Sequence, residues 1–571
     1  MTARARPRAW LRLGTAALLA SATALLYAPA VDHGFVNYDD NFLITENAAL
    51  GQGLSAEGLR WALRDTSHAN WMPLTRLSYL ADQELHGLSA AGVHATHVAL
   101  HAASVALLFL ALVRMTRALG PSAFVAALFA VHPLGVESVA WAAERKGLLA
   151  GLFWMLALWI YAGVGQRPLS WGRGLAVTLA LAACLMSKAV GVTLFAVLLL
   201  LDVWPLRRIR FGSEEGGPGV GPVRAAAEKL PLVALAAASA AITVLTQSEA
   251  AATATIEQLP IGARVSNAAV SYVGYLARFV WPTRLSVFYP HPESVPVLPV
   301  LAAGTLLAAL SALALWQLRR RPWLAVGWLW FLGVLVPMIG LVQVGSQASA
   351  DRYAYLPLVG LALAVAWSGA EGFARSGRLR AAVPVAALAV LAALALGTRS
   401  QLRHWHSSEA LFTHSVAVTE RNHVAHAQLG SALLQAGRPA EAIAELRESL
   451  RIRPHSLEIA NNLAWLLSTH PDPALRDPDE AVRLARGAAK QAGGRDARVL
   501  DTFAAAQAAA GRYDRAIWYA GRARQVARAR GEDELAREIA TRLALYRAEQ
   551  PYREDPNHRE SSLDRPAAPA R

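Results

Sequence analysis

Residues 11–41 read LRLGTAALLASATALLYAPAVDHGFVNYDDN. The run up to Ala30 is apolar over about twenty residues, which is the length that a helix needs to cross the hydrocarbon core of a bilayer. Three arginines precede the run and favour a cytoplasmic N-terminus: Arg4, Arg6 and Arg8. The stretch therefore predicts an uncleaved membrane span, with Asp39 and Asp40 just beyond it on the opposite side of the membrane.

Similar apolar runs recur along the chain, so the sequence predicts a multi-pass membrane protein. Of its 571 residues, 54% are hydrophobic and 17% are charged, whereas a soluble protein has about a quarter charged residues. We expect an all-α bundle of about 11 spans: the first run and then 93–113, 121–142, 147–164, 173–187, 189–206, 229–247, 295–318, 322–340, 353–369 and 381–398. The net charge is +14, but much of the arginine lies in short loops, where it orients spans; nucleic-acid binding is not expected.

The stretch 265–282 is the ambiguous crossing. It contains Asn267, Ser271 and Arg278, which favour an interfacial or re-entrant helix. If it does not cross, the arginine-rich loops all lie on the cytoplasmic side, and the C-terminal region lies outside the cytoplasm. The polar motifs then gather on the non-cytoplasmic face, where we expect the chemistry.

The first long polar loop, residues 31–90, contains the acidic pair Asp39 and Asp40. We expect it to be ordered, with amphipathic helices near Ser55–Leu63 and Leu74–Leu85. The carboxylates suit a general base, or ligands of a divalent metal such as Mg²⁺ or Mn²⁺ that steadies a phosphate leaving group. The alternative is a solvated acidic turn.

A second polar segment, residues 132–146, reads HPLGVESVAWAAERK between two apolar runs. It has too many polar groups for a plain hairpin: His132, Glu137, Glu144, Arg145 and Lys146. Arginine and lysine together suit a lipid phosphate, although an Arg-Lys pair also snorkels at membrane interfaces.

Two more cations stand at the ends of apolar runs. Lys188 has scarcely a polar neighbour in sequence, and an unpaired membrane cation is costly, which favours a role in binding phosphate. Arg352, in Asp351-Arg352-Tyr353, is a similar candidate, although it is equally able to pair with Asp351.

Three histidines share one helical stripe: His94, His97 and His101. The spacing permits a metal site, but no carboxylate is fixed nearby and the zinc motif HExxH is absent. Helix-packing histidines are the alternative.

The composition changes after Arg399, and from about 405 to 548 the chain is alanine-rich, charged and repetitive. GRPAEAI at 437–443 recurs as GRYDRAI at 511–517, about two periods of roughly 34 residues plus an insertion near Pro471–Pro478. Such helix pairs stack into a solenoid with a concave groove. We expect domains at 1–400 and 405–548, and a disordered tail at 549–571.

The order of these motifs resembles a known family. Asn37-Tyr38-Asp39-Asp40, His132-Pro133 to Arg145-Lys146, Ser187-Lys188, Asp351-Arg352-Tyr353 and then tetratricopeptide repeats are similar to the transmembrane O-mannosyltransferases with tetratricopeptide repeats and their bacterial relatives. These belong to the GT-C glycosyltransferases. The resemblance covers nearly the whole chain.

The resemblance implies transfer of a hexose from a polyprenyl-phosphate sugar to a hydroxyl acceptor by a single inverting displacement. Asp39 or Asp40 would be the base or metal ligand, and Arg145, Lys146, Lys188 and Arg352 would neutralise the departing phosphate. One motif departs from the family: Met72-Pro73-Leu74 stands where Arg-Pro-Leu is expected, with Arg76 a candidate replacement. His94, His101, His132 and Glu137 are further candidates.

The implied partners are a polyprenyl-phosphate sugar, the lipid bilayer, and an acceptor protein or peptide held by the repeats. The arginine and alanine content favours a bacterial inner membrane with periplasmic repeats. Asparagine at position 39 or 40 is expected to abolish transfer and leave folding intact.

Three other functions are open. A non-catalytic scaffold would use the repeats to assemble envelope proteins, and a second kind of glycosyltransferase would modify lipid or polysaccharide. A transporter would place polar residues through the midplane of the bundle, not at one face.

Overall fold

The computed structural model describes residues 8–67, 70–209, 219–249, 259–292, 294–343, 345–375 and 379–554. The chain divides into two compact units, residues 1–414 and 415–571. Both units are α-helical over most of their described residues.

The first unit holds the apolar runs. Its α-helices are α1 (Ala9–Tyr27), α2 (Ala56–Arg64), α3 (Pro73–His86), α4 (Ala90–Thr116), α5 (Leu119–Val131), α6 (Val136–Ala140), α7 (Arg145–Tyr161), α8 (Trp171–Ser187), α9 (Leu194–Val203), α10 (Pro222–Ala227), α11 (Leu230–Glu249), α12 (Ile261–Val280), α13 (Val297–Trp316), α14 (Pro322–Leu335), α15 (Pro357–Arg375), α16 (Leu379–Arg403) and α17 (Ser408–Val418). A short antiparallel pair, β1 (Tyr289–Pro290) and β2 (Gln347–Ser349), lies between them in sequence.

Several helices are long and apolar enough to cross a membrane. Within the described residues there are six, and a seventh if a bent pair is counted as one span: Ala9–Asp32, Ala90–Thr116, Leu230–Ser248, Val297–Trp316, Pro357–Ala374, Ala382–Arg403, and the pair Leu119–Val131 with Pro133–Ala140. Large apolar side chains on α13 are exposed, among them Leu298 and Leu301, which suits helices solvated by lipid. The chain is a multi-pass membrane protein.

The predicted span 121–142 is not one straight crossing. Helix α5 ends at Val131, and the chain bends by 56° before α6. Pro133 has no N–H to continue the helix, and the His132 side chain accepts the N–H of Leu134 at 3.2 Å. The break makes room for the polar segment at this end of the bundle.

The stretch predicted as ambiguous forms α12, which is not among the candidate spans of the described chain. Asn267 is buried and donates to the carbonyl of Ala348 at 3.1 Å. Whether α12 crosses the membrane stays a prediction.

The loop after the first span is ordered around α2 and α3, close to the predicted helices. Pro73 occupies the first turn of α3, and Gly87 ends the helix with φ of 65° and its N–H on the carbonyl of Gln83. The Thr75 hydroxyl donates to the Ser187 carbonyl at 3.1 Å. Helix α3 is thereby fixed beside the residue that precedes Lys188.

The second unit is a stack of helix pairs: α18 (His423–Gln435), α19 (Pro439–Ile452), α20 (Leu457–Thr469), α21 (Pro478–Gln491), α22 (Ala497–Ala509), α23 (Tyr513–Ala529) and α24 (Asp533–Arg547). Gly437 and Gly511, the two repeat-motif glycines, both have φ near 72° in the turns between paired helices. The insertion lies between α20 and α21, as predicted. The repeat prediction is confirmed.

The predicted disordered tail, 549–571, includes residues that are folded here. The Trp465 indole donates to Glu554 at 2.8 Å, and the Glu554 N–H donates to the carbonyl of Thr469 at 2.9 Å. Residues 555–571 lie outside the described part of the chain.

Candidate functional site

The two adjacent aspartates differ in their surroundings. Asp40 is 1% exposed, and its carboxylate accepts the backbone N–H groups of Val36 and Ala143, each at 2.8 Å. Asp39 is half-buried, with φ of 74° in the left-handed region. Within the described residues no hydrogen bond or ion pair of the Asp39 carboxylate is recorded. The two carboxylates therefore differ: Asp40 is occupied by backbone hydrogen bonds, whereas Asp39 is open to a ligand.

Asp40 joins the first external loop to the segment 132–146. Its pKa is raised to about 7: burial is the main cause and the charge of Asp39 adds to it, while the hydrogen bonds from Val36 and Ala143 and the charge of Lys146 act in the opposite direction. A pKa near neutrality suits proton transfer. Both carboxylate oxygens already accept a backbone N–H, however, so this geometry fits a positioning role.

Trp141 is the surface on which the acidic loop rests. Its indole N–H donates to the Tyr38 carbonyl at 2.9 Å, and the two rings lie 5.3 Å apart. The Lys146 ammonium lies 5.8 Å from the Trp141 ring centroid, and the Arg352 guanidinium lies 5.1 Å from it. Trp141 thus links the Asp39 loop to two of the predicted cations.

Glu144 lies against two of the predicted cations, Lys146 and Lys188. It is 1% exposed, forms an ion pair with Lys188, and lies 4.0 Å from the Lys146 ammonium. Burial opposes ionisation of Glu144, but the charges of Lys188, Lys146 and Arg352 together lower its pKa. Lys146 and Lys188 keep 18% and 20% of their side chains exposed, so neither is closed off from a ligand, and one carboxylate lies within 4.0 Å of both.

Arg352 pairs with Glu137 and not with its sequence neighbour Asp351. The Arg352 guanidinium contacts Glu137, and the Arg352 N–H donates to the other Glu137 oxygen at 2.8 Å. Asp351 accepts the Tyr289 hydroxyl at 3.0 Å and lies 3.5 Å from Arg278. The residues Asp351–Ala354 form a 3₁₀ turn, which sends the two side chains in different directions.

Arg145 is not brought together with the other cations at the surface. Its side chain is fully buried and pairs with Asp82 at 2.5 Å, while the same nitrogen donates to the Val93 carbonyl at 3.0 Å. The guanidinium also lies 4.9 Å from the Tyr79 ring centroid. Arg145 therefore ties α7 to α3 and α4, and we remove it from the phosphate contacts that the sequence predicted.

Arg76, the candidate for the missing arginine, is 3% exposed and pairs with Asp65. It also donates to the carbonyl of Asn70 at 3.2 Å and lies 5.6 Å from the Trp61 ring centroid. These contacts hold Asp65 and Asn70 against α3. Arg76 is thus placed to shape the loop and is not among the contacts of Glu144 or Glu137.

The histidines have packing partners. His101 Nδ1 lies 2.8 Å from the Tyr355 hydroxyl, and His97 Nδ1 lies 3.1 Å from the Val139 carbonyl. His94 packs 6.2 Å from the His97 ring. His132 uses both ring nitrogens, Nδ1 on the Leu134 N–H and Nε2 on the Phe279 carbonyl at 3.0 Å. Helix packing explains these side chains better than catalysis does.

A metal site does not fit the donors that the structure brings together. Within the described residues, no group of three or more His, Cys, Asp or Glu side chains is arranged to hold a metal ion. Of the predicted pair, Asp40 already gives both oxygens to backbone N–H groups. Asp39 alone provides no protein cage for Mg²⁺ or Mn²⁺, which would have to take its remaining ligands from water and substrate phosphate.

Sequence reasoning missed the roles of several residues at this site. Glu144 and Trp141 lie inside the quoted segment 132–146, yet nothing in its spacing shows that Glu144 pairs with lysines or that the Trp141 ring packs at a tilt against Tyr38. Asp82 is separated from Arg145 by 63 residues. The one signal available was that so many polar groups in an apolar setting require partners.

The sequence is similar over most of its length to that of known transferases. It is 25% identical over 509 residues to the protein O-mannosyl-transferase TMTC1 of Homo sapiens, covering 79% of this chain and 57% of that protein. It is also 25% identical over 463 residues to the protein O-mannosyl-transferase Tmtc3 of Drosophila melanogaster, covering 68% of this chain and 49% of that protein. The chain is a distant relative of these transferases. It spans about half the length of each.

Comparisons with protein-family models and with solved structures give weaker information about this chain. No protein-family model matches the chain. The crystal structure of ArnT from Cupriavidus metallidurans bound to undecaprenyl phosphate is 14% identical, with a TM-score of 0.35 over 85% of this chain and 88% of ArnT. A likeness at this level does not establish a shared fold.

Proposed function

We propose that this chain is a membrane glycosyltransferase that moves a hexose from a polyprenyl-phosphate sugar to a hydroxyl acceptor on the non-cytoplasmic face. The observation that carries the proposal is that Lys146, Lys188 and Arg352 contact Trp141 or Glu144, while Tyr38 and Asp40, the neighbours of Asp39, contact Trp141 and Ala143. A loop that carries an unpaired carboxylate and is attached to a segment holding several cations suits a reaction in which a hydroxyl loses a proton and a phosphate leaves.

The cations serve the leaving group. As the sugar–oxygen bond breaks, negative charge grows on the lipid phosphate, and preorganised positive charge stabilises that state. Lys188 and Lys146 are held by the buried Glu144, and Arg352 is held by Glu137 and by the Trp141 ring. The ammonium and guanidinium groups therefore need little rearrangement when the phosphate departs.

Asp39 serves the acceptor. A base is needed only as the acceptor oxygen bonds to the anomeric carbon, when the hydroxyl proton becomes acidic. Asp39 takes that proton, the acceptor oxygen displaces the phosphate in a single inverting step, and the lipid phosphate leaves with the bonding electron pair. Asp40 keeps the Asp39 turn attached to the 132–146 segment through the Val36 and Ala143 N–H groups.

The acceptor is inferred from the relatives, and the compartment from the eleven crossings that the sequence predicts, of which six or seven are long apolar helices within the described residues. The relatives are named as protein O-mannosyl-transferases, and we infer a mannose-like hexose and a protein serine or threonine as the acceptor. The repeats then hold the acceptor protein, and in a bacterial inner membrane they lie in the periplasm.

The test uses the purified full-length protein in lipid nanodiscs with radiolabelled polyprenyl-phosphate mannose and glucose. Release of sugar to a serine- and threonine-rich peptide, or slowly to water, is expected with one donor and is expected to disappear in Asp39→Asn. The matched control is Asp32→Asn, an exposed carboxylate that precedes the acidic motif. Absence of turnover with any lipid-linked sugar would favour a non-catalytic scaffold, and transfer to lipid or polysaccharide alone would replace the protein acceptor.

A further inference from the structure

The second unit has a pocket that the proposed chemistry does not use. It lies among α21, α22 and α23, has a volume of about 550 Å³, and is lined by Arg486, Phe503, Gln507, Arg515, Trp518 and Tyr519. A volume of this order is in the range of ligand sites.

Aromatic rings form one side of the pocket. The Phe503 and Tyr519 centroids lie 4.3 Å apart, and Trp518 stands edge-on to Tyr519 at 4.8 Å. Phe503 is buried, whereas Trp518 is 64% exposed. An exposed tryptophan supported by a packed aromatic pair offers a rigid apolar surface for a partner side chain.

Gln507 contributes a buried acceptor. The side chain is 1% exposed, and its Oε1 has no hydrogen-bond partner within the described structure. A buried polar atom without a partner costs free energy unless a ligand supplies a donor. The Gln507 oxygen therefore requires an N–H or O–H group.

The rim of the pocket is positive. Arg486 and Arg515 are both exposed, and within the described residues neither has a recorded ion pair. Other arginines of this unit are paired, for example Arg447 with Glu480 at 2.5 Å and Arg438 with Glu441 at 2.6 Å. The two rim guanidiniums are thus available for a carboxylate.

We propose that this pocket binds an extended, acidic polypeptide segment. A glutamate or aspartate of the segment lies between Arg486 and Arg515, a backbone N–H donates to Gln507 Oε1, and a neighbouring apolar side chain packs on Trp518. A polypeptide supplies the carboxylate, the N–H and the apolar group within a few residues, whereas a neutral sugar leaves both arginines without a counter-ion. The proposal concerns binding alone and holds whether or not the chain transfers sugar.

The test is fluorescence anisotropy with the full-length protein in nanodiscs. The probe is a labelled, end-blocked peptide with a phenylalanine between two glutamates, compared with the same peptide carrying glutamines. We expect the glutamate peptide to bind at least about tenfold more tightly, and Arg486→Gln or Arg515→Gln to remove most of that difference. Arg483→Gln is the matched control, since Arg483 is exposed on the same helix and does not line the pocket.

Gln507→Leu separates binding from folding. Removing a buried acceptor that has no partner is expected to leave the unfolding temperature unchanged or higher, while peptide affinity falls. Equal affinity for the glutamate and glutamine peptides, or an equal loss in Arg483→Gln, would overturn the proposal. So would displacement of the peptide by mannose oligosaccharide or anionic vesicles at lower concentrations than by unlabelled peptide.

Discussion

The clearest consequence of the site geometry is that substitutions at Asp39 and Asp40 should have different effects. The sequence alone predicted that asparagine at either position abolishes transfer and leaves folding intact. The contacts keep that prediction for Asp39 and revise it for Asp40. Of the two carboxylates, only that of Asp40 accepts backbone hydrogen bonds, from the N–H groups of Val36 and Ala143.

Asp40→Asn should destabilise the protein. The asparagine amide has one acceptor oxygen, so one of the two N–H groups loses its partner in a buried setting. At a pH above the Asp40 pKa of about 7 the carboxylate is ionised. A hydrogen bond to a charged group then contributes about 1.5–3 kcal/mol, and the cost of leaving a buried N–H unpaired is of similar size. We therefore expect the free energy of unfolding to fall by about 2 kcal/mol.

Asp39→Asn should leave stability unchanged and lower kcat. Loss of a general base typically reduces the rate by about 10²–10⁴-fold, or roughly 3–5 kcal/mol in barrier height. The assay pairs thermal unfolding in nanodiscs with sugar transfer at saturating donor. The reasoning is refuted if Asp39→Asn unfolds as readily as Asp40→Asn, or if Asp40→Asn retains wild-type stability.

Three further predictions concern the surrounding charges. Lys188→Gln should reduce kcat/KM by about 10²–10³-fold, since it removes one contact to the departing phosphate, and it should also lower stability, since it takes the ion-pair partner from the buried Glu144. Steady-state kinetics with lipid-linked sugar, on the folded variant, measure the rate, and an unchanged rate excludes the phosphate contact. Asp82→Asn should lower the free energy of unfolding by about 3–5 kcal/mol, because it leaves the Arg145 guanidinium buried without its carboxylate. Thermal unfolding measures this loss. A variant as stable as the wild type would show that the Asp82–Arg145 pair does not stabilise the fold. Burial raises the Asp40 pKa from 3.8 to about 7, so the folded state favours the protonated form. Stability from this group should therefore be lost as pH rises from about 4 to about 7. Unfolding temperatures measured across that range should fall in the wild type for this reason, and Asp40→Asn should lack this contribution.

Much of the fold is readable from sequence because its signals are local. An apolar run of about twenty residues specifies a span by its own length, and the GRPAEAI and GRYDRAI motifs specify inter-helix turns that need a left-handed glycine. The bend at His132 is also local, since Pro133 stands in the sequence. It was missed because the apolar character continues across the break.

The site is less predictable because its partners are distant in sequence. Arg352 is 215 residues from Glu137, and Lys188 is 44 residues from Glu144. The motifs identified the cations as unusual residues for an apolar setting. Which carboxylate pairs with each cation depends on how separate helices pack together. Arg145 and Lys146 are adjacent in sequence, yet one is fully buried and the other reaches the surface.

The pairing of carboxylates with cations explains how such a site exists in an apolar setting. Lys146, Lys188 and Arg352 together would carry three positive charges, which is costly in a region of low dielectric. Glu137 and Glu144 offset two of those charges and leave the group with a formal surplus of one. The surplus attracts a phosphate without requiring the empty site to hold three bare cations. Because the carboxylates also fix the positions of the cations, the positive charge is already in place when the sugar–phosphate bond breaks, and one ionic cluster serves both stability and catalysis.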